Sequence, residues 1–389
     1  MTEITLESQL FDIINDKDMP ERIKLAKLDM LQSLGVDFNA KKYGKSALIF
    51  ANEMGVKSVS DFLSKNGAIE EIISEEEAIK LGQKLIEECG KVTLDINNIK
   101  SLIDEGANVN VKNRFGRTAL NEVASRSNAD IVKLLISIGA DIESEDQNNN
   151  TELNCSSELG RLEMVKLLLE NGASVYKEGK IGSKALVNAS QKGHLEIVKL
   201  LLTKYSDDER KIKDMNESLA KAVEYNHVKV VDFLINNGAD VNCKEGFYDN
   251  LLISAVKMGD ITLVKKLLKR GVHINAKGRD DETALMAASY DGKKVIAEFL
   301  IDKGADVNAK NSSGMTALME ASRNGHKGVV ELLILNGADV EVKDELGQTA
   351  LTRARNEEIK MAIINAVKKR NIGEKGMVIG SIKNLFGRG

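Results

Sequence analysis

Eight leucines set the period of this chain. Leu120, Leu153, Leu186, Leu219, Leu252, Leu285, Leu318 and Leu351 follow one another at steps of 33 residues without a slip. A second series keeps the same step: Gly106, Gly139, Gly172, Gly238, Gly271, Gly304 and Gly337, with Tyr205 in the one slot that lacks glycine. Gly35 and Gly67 extend it upstream with steps of 32 and 39, so the one sizeable irregularity, six extra residues, falls before Gly106. Four residues ahead of each of these positions stands a leucine, from Leu31 to Leu333. A period of this length restricts the fold to an array in which each unit buries its apolar face only against its neighbours.

Two short helices fit between the rulers. In TALMEASRNGHKGVVELLILNGADVEVKDELG, Thr316 is placed to cap a first helix through Ala317, Leu318, Met319 and Ala321. Gly325 turns the chain, and Val329, Val330, Leu332 and Leu333 give a second helix its apolar face. Gly337 closes it in the left-handed conformation. The small residue three places after the ruler leucine (Ala189, Ala222, Ala255, Ala288, Ala321, Ala354) lets neighbouring helices approach closely.

A 33-residue unit carrying D-x-x-G-x-T-A-L, an alanine, a G-H turn, V-x-x-L-L and N-G-A-D-V-N resembles the ankyrin repeat. The resemblance runs from about residue 5 to about residue 370, with its best copies between Asn113 and Asp344. It implies an all-α ankyrin-repeat solenoid of about eleven stacked helical hairpins with β-turn fingers. The expected layout is a repeat region over 1–370, divergent in 1–112, regular in 113–341 and capped by 342–370, followed by a basic tail, 371–389. The family's TPLH proline is replaced mostly by alanine (Ala119, Ala284, Ala317, Ala350), which suits a first helical turn nearly as well. Its histidine is replaced by Asn121, Met286, Met319 or Thr352.

Phase also settles an apparent nucleotide motif. Gly44-Lys45-Ser46 has the ending of a phosphate loop, but a glycine is needed five residues earlier and Asn39 stands there. Gly44 lies four residues before Leu48, as Gly116, Gly182, Gly314 and Gly347 lie before their own ruler leucines. Gly44 is therefore read as a turn glycine and Ser46 as an N-cap.

The same reasoning removes most candidates for chemistry. His194, His227 and His326 share one phase at the start of the second helix, which points to a shared hydrogen-bonding role in the inter-helix turn. Asp141, Asp240, Asp306 and Asp339 recur as turn residues. Asn110, Asn242, Asn275 and Asn308 fall where some animal ankyrin repeats are hydroxylated, and loop hydrogen bonding is the reading taken for them. Cys89, Cys155 and Cys243 are odd in number and far apart, matching neither a disulfide framework nor a zinc site. No catalytic residue, metal or cofactor is expected, and a reducing, cytoplasmic setting fits, or a host-cell interior if the chain is exported as an effector.

The expected partner is another protein. A net charge of −4 lacks the basic footprint of general nucleic-acid binding, so nucleic acid is not expected. In ankyrin arrays the fingers and first-helix ends line a concave face used for partners. The resemblance carries that role onto Arg114, Phe115, Arg126, Tyr225, Phe247, Tyr248, Met258, Arg279, Tyr290, Asp291, Met315 and Arg323, of types that dominate interface hot spots. The chain is expected to act as a monomer. The alternatives are an effector that presents an activity outside the repeat phase, and an adaptor whose tail touches a membrane. The last 22 residues set six basic side chains against one acidic, and Val378, Ile382, Leu385 and Phe386 would share a helical face.

Overall fold

The structure is a computed structural model that describes residues 5–126, 128–206, 208–243 and 250–368. The basic tail lies outside the described residues. The chain divides into two compact units, Met1–Ala185 and Leu186–Gly389, and each is an all-α stack of antiparallel helix pairs.

Among the described residues the first unit contains five pairs: Leu6–Asn15 with Glu21–Ser33, Ala47–Glu53 with Lys57–Lys65, Glu75–Cys89 with Ile96–Asp104, Ala119–Ala124 with Ala129–Ser137, and Glu152–Glu158 with Leu162–Glu170. The second begins at the helix Ala185–Gln191, paired with Leu195–Leu202. It continues with Glu209–Glu224 and Val228–Asn236, Leu251–Met258 and Ile261–Lys269, Ala284–Tyr290 and Lys294–Asp302, and Ala317–Asn324 and Lys327–Leu335. The short helix Ala350–Arg353 and the helical stretch 357–368 are the last of its described elements.

Local chemistry explains where the first helices begin. Thr118, Thr151, Thr283, Thr316 and Thr349 each precede a first helix and accept a backbone N–H three residues on. A cap of this kind stabilises by roughly 0.5–2 kcal/mol. The alanines at the family's proline position are the first helical residues, and the ruler leucines from Leu120 to Leu318 are buried behind them. Ala189, Ala222, Ala255, Ala288 and Ala321 are fully buried where first helices stack. Ala354 is not, because its helix stops after one turn at Arg353 and Ala354 is already extended.

Second helices end by a device that the leucine and glycine rulers do not reveal. Asn66, Asn171, Asn237 and Asn336, each before a ruler glycine, donate Nδ2–H to the carbonyl four residues back at 2.8 Å. These bonds satisfy carbonyls that a helix end leaves open. The following glycine then turns left-handed, as at Gly337 with φ +85°.

Consecutive repeats are tied in register by side chains. Asn308 donates Nδ2–H to the Gly337 carbonyl at 3.1 Å and accepts the Asp339 N–H at 2.8 Å. Asn110, Asn242 and Asn275 make the same pair of bonds to the loop one repeat on. Glu143, in the same phase, keeps one bond, to the Ser174 N–H. At the other end of the hairpins, the Nε2–H groups of His227 and His326 donate to the Gln191 and Tyr290 carbonyls of the preceding repeat, both at 2.9 Å. The histidines thus link repeats as well as lying in a turn. Replacing Asn308 with alanine is expected to cost about 1–2 kcal/mol and to speed hydrogen exchange at the Asp339 amide, measured by urea unfolding and exchange NMR.

Two first helices depart from the pattern. Glu75–Cys89 and Glu209–Glu224, of 15 and 16 residues, start about two turns early and take the place of the β-turn finger. In the second case the Tyr205 hydroxyl donates to Asp214, buried in the long helix, at 2.9 Å. In the first, residues 71–73 bond to the small hairpin Lys41–Lys42/Lys45–Ser46, extending a finger sideways. The extra residues upstream of Gly106 are spent on this lengthened helix and on the turn that follows it.

The Gly44 reading holds, with φ +76° in the hairpin turn, and Lys45 pairs with Glu53. Ser46 stands at the N-cap position but makes no cap bond. Its hydroxyl donates instead to the Ile69 carbonyl at 2.6 Å, because the added segment 69–73 passes beside it.

Candidate functional site

The fingers are short turns closed by a single side chain. Asn113 takes the Phe115 and Arg117 N–H groups on Oδ1, and Asp146, Asn311 and Asp344 do the same in their own turns. Successive fingertips are joined by one backbone bond each. In the first unit the Gln147 N–H donates to the Phe115 carbonyl and the Lys180 N–H to that of Asn148. In the second, Ser312 donates to Asp280 and Glu345 to Ser313.

This frame separates the predicted binding residues into two rows at opposite ends of the first helices. Arg114, Phe115 and Arg279 lie exposed on fingers, with the Arg114 guanidinium 4.7 Å from the centre of the Phe115 ring. Arg126, Tyr225, Met258, Tyr290, Asp291 and Arg323 lie at first-helix C-terminal ends. Phe247 and Tyr248 lie outside the described residues. Met315 is a correction: it is 6% exposed. It closes the finger turn at its root, next to the Thr316 cap, and is packed into the repeat rather than carried on the tip.

The helix-end row of the second unit is the more continuous. Tyr225, Met258 and Tyr290 are 45%, 47% and 53% exposed on three helices stacked in sequence. At roughly 8–10 Å between helix axes, the three span about 20 Å. Asp291 is paired with Lys293, and Lys221 sits 5.8 Å from the Tyr225 ring centre. In the first unit the same phase holds Arg126 and Leu159. Arg126 spends its guanidinium on the Gly90 and Lys91 carbonyls and on Glu122, so it clamps the preceding turn. Leu159 is 58% exposed and was not among the predicted residues, although its 33-residue relation to Arg126 was in plain view.

A buried carboxyl also escaped the sequence reading. Glu152 stands where most other repeats have alanine, as the first residue of its helix, and is 2% exposed. Burial pushes it up to about 7, although Ser156, Arg117, Asn121 and Arg161 all favour its charged form. Burial likewise pushes the Cys89 and Cys155 thiols up to about 12, which keeps them protonated and unreactive. Among the described residues no three His, Cys, Asp or Glu side chains converge as a metal site, and no helix is long and apolar enough to cross a membrane.

The family described as ankyrin repeats (3 copies) matches residues 92–179, 174–245 and 252–344. The chain belongs to the ankyrin-repeat family. No curated protein matches it. Ankyrin repeats are generally protein–protein interaction modules, and the matched stretches include the predicted binding residues, on fingers and helix ends alike, except Phe247 and Tyr248.

Proposed function

We propose that this ankyrin-repeat chain is a non-catalytic scaffold that binds a partner protein through its fingers and first-helix ends. The observation that carries this reading is the row Tyr225, Met258 and Tyr290. Each stands at the C-terminal end of a first helix, Tyr225 and Met258 in one phase and Tyr290 one residue before it, where the fold needs no large apolar side chain, yet three consecutive repeats expose one. Aromatic and methionine side chains of this kind supply contact area that a partner can cover. In the first unit Phe115 stacked under Arg114, and in the second Arg323 one repeat after Tyr290, add anchors of the same character.

The test compares the wild-type chain with a Tyr225→Ala, Met258→Ala, Tyr290→Ala variant in cross-linked co-purification from the native source. The variant is expected to lose a near-stoichiometric partner while its melting temperature stays within a degree or two, as surface changes rarely move stability by more than about 0.5 kcal/mol. Equal recovery of the partner by both chains would place the binding surface elsewhere.

A further inference from the structure

A cavity of about 210 Å³ opens along the first-helix face between the helices Ala119–Ala124 and Glu152–Glu158. Arg117 at a finger root and Arg161 at the inter-helix turn contribute to its wall, Glu152 and Asn121 lie buried beneath it, and exposed Leu159 stands at its rim. We propose that this cavity receives one carboxylate side chain of a bound partner chain, held by Arg117 and Arg161. The proposal deepens, and rests on, the reading of this face as a partner-binding surface.

Charge and donor supply favour a carboxylate over a cation. Arg161 makes one long bond, 3.4 Å, to the Ala124 carbonyl, out of the five N–H donors that a guanidinium carries. Arg117 donates to the Asn121 carbonyl at 2.9 Å and lies 3.5 Å from Glu122, which it shares with Arg126. The other lining carboxyl, Asp146, is occupied by the Asn148 and Asn150 N–H groups of its own turn. An incoming cation would meet two guanidinium groups, whereas a carboxylate meets complementary forks.

Glu152 completes the arrangement. Ser156 donates to its Oε1 at 2.8 Å, and burial holds it near half-protonated at neutral pH. Protonated, it offers a hydroxyl donor and no competing charge, and an incoming anion beside Arg117, Arg161, Asp146 and Glu122 favours that form further. Binding therefore takes up a proton and weakens as pH rises.

The test uses the ¹⁵N-labelled full chain titrated with propionate, the smallest mimic of an acidic side chain. Propionamide, ethylammonium and inorganic phosphate serve as comparisons. Propionate is expected to shift the backbone amides of residues 150–155 and 161 saturably, with an affinity in the range of roughly millimolar. Binding should weaken about tenfold from pH 6 to pH 8, and at least tenfold in Arg161→Gln. Glu152→Gln, with its fold checked by circular dichroism, should bind with no pH dependence. The proposal is overturned if propionate does not saturate, if propionamide or phosphate binds as well, or if ethylammonium binds instead and tightens with pH. No protein partner is present in this titration, so its failure condemns the cavity alone, and failure of the triple-alanine experiment condemns the helix-end row alone.

Discussion

Replacing Gly106 with alanine is expected to cost about 2–5 kcal/mol, and replacing Gly139 only about 1–2 kcal/mol, although both glycines share one phase and one left-handed conformation. The difference is space. A Cβ on Gly106 would fall 2.8 Å from the Gly44 backbone nitrogen and 2.6 Å from Ile73 Cδ1. That backbone cannot withdraw, because the Gly44 N–H is bonded to the Asp104 carbonyl at 3.1 Å. A Cβ on Gly139 would have no heavy atom within 4 Å, so only the strain of positive φ remains. Urea unfolding of the two variants gives the comparison directly. Equal shifts of the midpoint would mean that the close approach of the finger to the Gly106 loop contributes nothing.

The second large effect is a pH dependence. Glu152 ionises at about 7 in the folded chain, against an ordinary 4.5. Between these values the unfolded chain has released its proton and the folded chain keeps it, so stability falls as pH rises through this window. Above about 7 both states are ionised and the loss levels off, at about 3 kcal/mol. Glu152→Gln is therefore expected to match the wild type near pH 4 and to exceed it by about 3 kcal/mol at pH 8. Denaturant midpoints measured across that range supply the check, and parallel curves would show that the carboxyl is not desolvated as described. Retaining an alanine-position carboxyl at such a cost is what a binding role would explain.

The repeat was legible because it is written in residues that backbone geometry demands. The ruler glycines sit at positive φ, the threonines cap, and the alanines stack, so each position reports its own conformation. The two long first helices are hard to read, since a missing finger leaves only an absence in the pattern; the visible traces are the six extra residues before Gly106 for the first and Tyr205 in a glycine slot for the second. Met315 was assigned to the surface by residue type, but the finger turn has a tip and a root, and phase alone distinguishes them. Leu159, and Leu346 exposed on a finger, do not stand out by type, because leucine is neither aromatic, arginine nor methionine and is the commonest core residue of these repeats. Glu152 was invisible for another reason: its meaning lies in a wall of residues from two repeats, which only folding brings together.

The asparagine ties carry a consequence for how such a chain can change length. Each reaches 29 and 31 residues ahead, to a carbonyl and an N–H. Excising residues 276–308 would bring Gly337 and Asp339 to those same distances from Asn275, so that its tie is remade with a new neighbour and the earlier ties stay as they are. Losing a single residue within the block would slide the amide by roughly 3.5 Å and undo both of its bonds. The asparagine ties thus survive the gain or loss of a block of 33 residues but not of a fraction of one.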